Sequence, residues 1–212
     1  SNPMLKCVNI KKISKIAKKL NIPLIVDDTI GSNLNINSIE HADIVFTSLT
    51  KIFSGSGDIL AGSLILNPKS KWIDQFRNAL NEINIPILSD GDIVYLEKVS
   101  RDVNQRVFEQ NKACLELKKR LETHSEIKNI FHPENCPNFN SLLTSDGGYG
   151  CLLSFELNGG LNKAKKFYDS LQVSKGPSLG TKFTLVCPYV LLAHYDELDW
   201  AESFGIPSHL IR

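Results

Sequence analysis

Residues 25–62 read IVDDTIGSNLNINSIEHADIVFTSLTKIFSGSGDILAG, and the fold turns on how this stretch is parsed. The run IPLIVD ends at Asp27, and ADIVFTSL ends at Ser48 with Thr50 and Lys51 just beyond it. Short apolar runs rich in β-branched residues and bounded by polar segments read as buried strands, and AGSLILN is a third. Upstream, Ile10, Ile13, Ile16, Ala17 and Leu20 recur at helical spacing between Cys7 and Leu20, with lysines on the other face and Asn21 as a stop. Strand, helix and strand in this order predict an α/β unit with a mostly parallel sheet. In such sheets ligands sit beyond the carboxyl ends of the strands, which is where Asp27, Ser48 and Lys51 fall.

Working outward, Pro68 to Leu80 reads as a helix containing Trp72 and Phe76. Ser89 and Asp90 can cap a long helical region that runs to about Glu122 and bends or links two domains. KNIFHP and CLLSFEL read as strands separated by the turn DGGYG, and NKAKKFYDSL as a helix after them. LQVSKGPSLG returns toward the sheet, YVLLAHYDELDWAESF reads as one helix, and HLIR as the start of an apolar strand. The expected division is 1–105, part of an α/β domain with its linking helix, and 106–212, a smaller, incomplete α+β domain. A first residue that is serine and a last segment that opens a strand suggest a piece of something longer.

The formal charge of +1 steers the chain toward neither nucleic acid nor anionic lipid. The apolar fraction of 42% suits a globular protein, and no apolar run approaches the ~20 residues that span a bilayer. The polar first residues are unlike a signal peptide. Cys7, Cys114, Cys136, Cys151 and Cys187 are scattered without a CxxC pair, so reduced thiols and a cytoplasmic location are expected, with Cys151 and Cys187 in the core. The five histidines show no ligand spacing, so no metal is expected, and no P-loop or GxGxxG is present.

The chemistry concentrates at the strand ends. A lysine flanked by hydroxyls and facing a strand-end carboxylate is the layout of a pyridoxal 5'-phosphate site: the amine binds the cofactor, and the carboxylate keeps the pyridine nitrogen protonated. Ser48 and Thr50 can aim hydroxyls at a phosphate. Taken alone, Lys51 reads as a solvated lysine after a strand, and Asp27 as a loop acid or helix cap. Asp27 and Asp28 are adjacent and point to opposite faces of a strand, so only one can meet the ring, and Asp27 is the assignment. Ser178, in GPSLGT, and Arg212 form a second pair, since an arginine fork with a neighbouring hydroxyl holds a carboxylate. Taken alone they read as a turn residue and a chain end.

The segments SNPMLK, IVDDTIG, ADIVFTSLTKIFSGSGDILAGSLILNP, GGYGCLLSFEL, KGPSLGT and HLIR, in this order across essentially the whole chain, resemble the PLP-dependent enzymes of cysteine and methionine metabolism, the cystathionine γ-synthase group. VDDTIG, TKIFSG and GPSLGTKFTLVCPYVLLAHY look most like its fungal branch. The resemblance implies an α/β fold of the aspartate aminotransferase type (fold type I), of which this chain is the second part of the large domain plus a smaller C-terminal α+β domain. It implies pyridoxal 5'-phosphate as cofactor, Lys51 as the Schiff-base lysine, Asp27 as partner of the pyridine nitrogen, Ser48 and Thr50 as phosphate contacts, and Ser178 with Arg212 as the substrate-carboxylate pair. It implies amino-acid substrates, a homo-oligomer, and γ-replacement of an activated homoserine ester by cysteine. Cystathionine lyase or acetylhomoserine sulfhydrylase chemistry fits the same residues, and a non-catalytic fragment or assembly partner is the reading from another class. Two departures stand out: many members carry Asn where this chain has Asp28, and the upstream phosphate loop and ring-stacking tyrosine have no counterpart here.

Overall fold

The computed structural model describes residues 2–83 and 88–212. Helix α1 (Ile10–Leu20) opens where the Asn9 side chain accepts the Lys12 N–H at 2.8 Å, and closes on Asn21 in the left-handed region (φ 56°). Strand β1 (Ile25–Asp27) leads through a short helix α2 (Ser32–Asn35) to β2 (Ile44–Ser48), and a tight π-helical turn (Leu49–Phe53) leads on to β3 (Gly62–Leu66). β1 and β2 are parallel, with Asp27 opposite Phe46, whereas β2 and β3 are antiparallel, with Ser48 opposite Gly62. The expectation of a mostly parallel sheet therefore holds for one pairing of two. The link from Ser48 to Gly62 holds only the short turn Leu49–Phe53, whereas a parallel crossover is usually made by a helix that carries the chain back along the sheet.

The strands are also less buried than their sequences suggest. Ile25, Phe46 and Leu64 share one face of this sheet through their pairing, and they are 52%, 38% and 51% exposed. No layer covers that face among the described residues. On the opposite face Val45 is buried, and Val26 packs with Ile10, Ile36, Phe139 and Leu142. The helix turns the same way: Ile10 and Ser14 are buried, while Ile13, Ile16 and Leu20 lie open.

Helix α3 (Ile73–Glu82) starts five residues later than Pro68, because Ser70 and Asn67 hold that stretch in turns against Asp43, Ile39 and Ala42. The long helical region divides into α4 (Asp90–Ser100), capped by the Ser89 hydroxyl, and α5 (Val103–Glu122). Residue 105 falls inside α5, so the helix runs through the expected boundary. Strand β4 (Ile127–Phe131), a short helix α6 (Pro137–Asn140), β5 (Ser154–Leu157), helix α7 (Gly160–Ser170) and the two-residue strands β6 (Ser174–Lys175) and β7 (Leu185–Val186) follow. β4 and β5 are antiparallel, and Ile211 bridges the free edge of β5 at Phe155, so the HLIR segment does begin a strand pairing. Cys114, Leu153, Phe155, Leu157, Ala164, Val186 and Ile211 form the core of this half.

The stretch expected as one helix near the end is two short ones, α8 (Tyr189–Ala193) and α9 (Leu198–Ser203). His194 (φ −131°) leaves the helical region between them, and its ring bonds Glu197 at 2.6 Å. The DGGYG loop joins the halves: Asn111 Oδ1 accepts the Gly150 N–H at 2.8 Å, and Asn35 Oδ1 accepts from Gly148 and from Asn111 Nδ2. A Cβ at Gly147 would lie 2.1 Å from the Asn35 carbonyl, so this approach requires glycine. All five cysteines are unpaired; Cys187 is buried, and Cys151 is half-buried. No described helix is long and apolar enough to cross a membrane.

Candidate active site

Asp27, at the end of β1, is exposed, and one of its carboxylate oxygens accepts the Thr29 N–H at 2.9 Å. The Thr29 hydroxyl in turn accepts the Ser48 N–H at 2.9 Å, so one threonine stitches the ends of β1 and β2 together. Asp27 and Ser48 share a sheet face by register. Asp28 points the other way and is buried, accepting from the Ser38 hydroxyl at 3.0 Å on one oxygen. Its other oxygen has no hydrogen-bond partner among the described residues. Burial pushes the Asp28 carboxyl up to about 7; the Ser38 bond opposes the shift, and the neighbouring charge of Asp27 adds to it.

Lys51 sits inside the turn that follows β2, where φ −91° and ψ −114° interrupt the helical run. Its amine donates to the Ser178 hydroxyl at 3.2 Å, across 127 residues of sequence. Ser178 reaches it because the segment around Gly180 lies directly on the turn: a Cβ at Gly180 (φ 75°) would come within 2.6 Å of the Ile52 nitrogen. The same serine uses its carbonyl for Arg212, whose Nη2 donates to Pro177 O at 2.7 Å and Ser178 O at 2.9 Å. Arg212 is no frayed end: its N–H and C=O exchange bonds with Cys187 at 3.0 and 2.9 Å, and its guanidinium lies over the Tyr189 ring at 4.9 Å.

Lys51, Ser178 and Arg212 thus converge, and Asp27 with Ser48 lines the adjoining strand ends. Thr50 differs: its hydroxyl accepts the Ala61 N–H at 3.2 Å and donates to the Ala61 carbonyl at 3.4 Å, so it fastens the turn to β3. A hollow of about 600 Å³ between α5, β5 and residues 178–186 runs up to Ser178 and Arg212. Arg106, which sequence reasoning missed, donates from α5 to the carbonyls of Ile52 and Phe53 beside Lys51. Its signal, one of two arginines in a helix of mixed charge, is indistinguishable in sequence from a solvated one. Among the described residues no group of three His, Cys, Asp or Glu side chains is placed to hold a metal ion.

This donor set fits an aldehyde phosphate carrying an aromatic nitrogen. It offers a primary amine with a hydroxyl partner, an exposed carboxylate at one strand end, and a serine hydroxyl at the next.

A family model described as Cys/Met metabolism PLP-dependent enzyme matches residues 1–212. Curated relatives include the cystathionine gamma-synthases of Neurospora crassa, 39% identical over all of this chain and 34% of the relative, and of Saccharomyces cerevisiae, 37% identical over all of this chain and 35% of the relative. The chain therefore spans about a third of the length of these relatives. Among solved structures, a cystathionine gamma synthase from Xanthomonas oryzae pv. oryzae in complex with cystathionine superposes with a TM-score of 0.84 at 23% identity, over all of this chain and 55% of that one. A cystathionine gamma-lyase from Lactobacillus plantarum complexed with L-serine superposes with a TM-score of 0.83 at 24% identity, over all of this chain and 56% of that one. The fold is accordingly the α/β fold of these enzymes, fold type I.

Proposed function

Because the chain belongs to the Cys/Met metabolism PLP-dependent enzymes, we propose that the whole protein is a cystathionine γ-synthase that exchanges the γ-substituent of an activated homoserine ester for the thiol of L-cysteine. The observation that carries this reading is the convergence of Lys51, Ser178 and Arg212 from three distant parts of the chain. The two fungal relatives named above carry the same function in their names.

Bound pyridoxal phosphate supplies an electron sink that acidifies the carbons of an attached amino acid. The protein's part is to hold and to move protons. Arg212 makes both of its side-chain bonds to protein through Nη2, so its remaining N–H groups can grip a substrate carboxylate beside the Ser178 hydroxyl. That grip brings the substrate Cα to the Lys51 side. The Lys51 amine, held by Ser178, would anchor the cofactor and, once freed from it by the substrate amine, would take the Cα proton and return it at the neighbouring carbons. Asp27 keeps a proton on the ring nitrogen, and its Thr29 bond fixes the carboxylate for that task. Ser48 holds the phosphate, and Thr50 contributes by fixing the turn that presents it.

A homo-oligomer acting on small amino-acid substrates in a reducing cytoplasm completes the reading, and the five unpaired cysteines are in keeping with it. The lyase reaction uses the same residues, and the superposition on a cystathionine gamma-lyase keeps it as the second reading. The test is borohydride reduction of the full-length protein with added pyridoxal phosphate, followed by peptide mapping. A pyridoxyl label on Lys51, lost in Lys51→Ala together with turnover, supports the assignment. A labelled lysine elsewhere, or more than a few per cent of activity in Lys51→Ala, refutes it. Product analysis with homoserine esters and cysteine then separates synthase from lyase.

A further inference from the structure

We propose that Arg106 is a positioning residue for Lys51, because its guanidinium clamps the carbonyls of Ile52 and Phe53 and so fixes the turn that aims the Lys51 amine. The inference rests on Lys51 being the cofactor lysine and adds a device that holds it.

The backbone bonds of the turn show why a clamp is needed. Ser54 N–H donates to Leu49 O at 3.0 Å and Gly55 N–H to Lys51 O at 2.9 Å, while the Thr50 carbonyl accepts the Ser54 hydroxyl at 2.8 Å. The carbonyls of Ile52 and Phe53 come next, past the point where Lys51 has broken the helical run. Buried carbonyls without donors are costly, so something must supply them. Arg106 does so from α5, with Nη1 2.5 Å from Ile52 O and Nη2 3.1 Å from Phe53 O. A cation at the carbonyl end of a helical turn also opposes its negative pole.

Arg106 is itself held. Its side chain is 7% exposed, and the Asp102 carboxylate, one helical turn earlier, accepts from Nη2 at 3.1 Å and from Nε at 3.3 Å. The other Asp102 oxygen accepts from Lys182 Nζ at 2.9 Å, and the Lys182 N–H donates to Gly55 O at 2.8 Å. Lys182 belongs to the strap that carries Ser178. One carboxylate therefore braces both the arginine beneath Lys51 and the segment that delivers its hydroxyl partner. A guanidinium offers several donors in a fixed plane, whereas a lysine offers a point charge that cannot span two carbonyls in that geometry.

The test compares wild type, Arg106→Lys and Asp102→Asn in the full-length protein. The readouts are the rate at which added pyridoxal phosphate is captured on Lys51, trapped by borohydride, and the pH profile of Lys51 acetylation by acetic anhydride in the apo form. Leu157→Ala, in the distant core, serves as a control for lost stability alone. We expect Arg106→Lys to slow capture at least tenfold and to move the midpoint of the acetylation profile by half a pH unit or more. Asp102→Asn is expected to slow capture about threefold, and the control to leave the profile in place. A folded Arg106→Lys with capture within twofold of wild type and an unmoved profile overturns the proposal. Should Arg106→Lys not fold, an unchanged Asp102→Asn overturns it instead. Absence of any label on wild-type Lys51 sinks the cofactor assignment itself, and this inference with it.

Discussion

β5 and the strands of the β1–β2–β3 sheet are short apolar runs of the same kind, yet only β5 is closed on both faces. All four residues of β5 are buried, including Glu156, whose carboxylate is taken up by Lys128 and Asn129 at 2.7 Å and by His209 at 3.0 Å. β2 carries apolar side chains on both faces, as a strand buried on both sides does, but Phe46 with Ile25 and Leu64 faces outward. The contrast teaches that the apolar content of a strand records the burial it is suited to, whereas the burial observed depends on what lies against it. The candidate site stands at the end of the open sheet, and most of what fixes it comes from the closed half through Arg106, Ser178 and Arg212.

That contrast can be broken by substitution in the 212-residue chain. Phe155→Ala, in the closed core against Phe167, is expected to cost about 3–5 kcal/mol by urea unfolding, against under about 1 kcal/mol for Phe46→Ala on the open face. Equal losses would mean that the open face is covered in solution.

The second prediction concerns Asp28, a closed polar site behind the open sheet. Its folded pKa of about 7 lies above the unfolded value near 3.8, so the folded state holds the proton more tightly. The stability it contributes is complete at pH values below about 4 and is lost as pH rises through about 7, with a full amplitude of up to about 4 kcal/mol. Asp28→Asn, which cannot ionise, is expected to flatten the stability curve between about pH 4 and 8. A variant curve that falls with the same slope as wild type would remove Asp28 as the cause.

The smallest effect is expected at Leu64→Thr. Stability should change by under about 0.5 kcal/mol, while binding of a hydrophobic dye falls, because an exposed apolar patch loses a central member. Unchanged dye binding would assign the signal to another surface.

Much of the sheet was legible because its strands are dense β-branched runs with polar ends, and because Asp27 and Asp28 must alternate. The direction of β3 was not, since the link from Ser48 to Gly62 is long enough for either direction and the outcome depends on where that chain turns. The break at His194 was hidden because the apolar stripe continues across it. In the sequence, local motifs singled out Lys51, Ser48 and Asp27 as candidates, whereas Ser178 and Arg212, readable as a carboxylate grip, needed the resemblance to stand above a turn residue and a chain end. Arg106 and the Thr50 bond to Ala61 stayed invisible because both are contacts fixed by tertiary placement.

Ser178 gives its hydroxyl to Lys51 and its carbonyl to Arg212. Such a shared part limits evolvability. Under the proposed function, a change in the strap that shifts Ser178 also shifts the amine, so selectivity gained there trades against turnover. Libraries built to alter one without the other should leave residues 176–182 alone and diversify other walls of the hollow, such as Leu117 on α5 and Phe167 on α7.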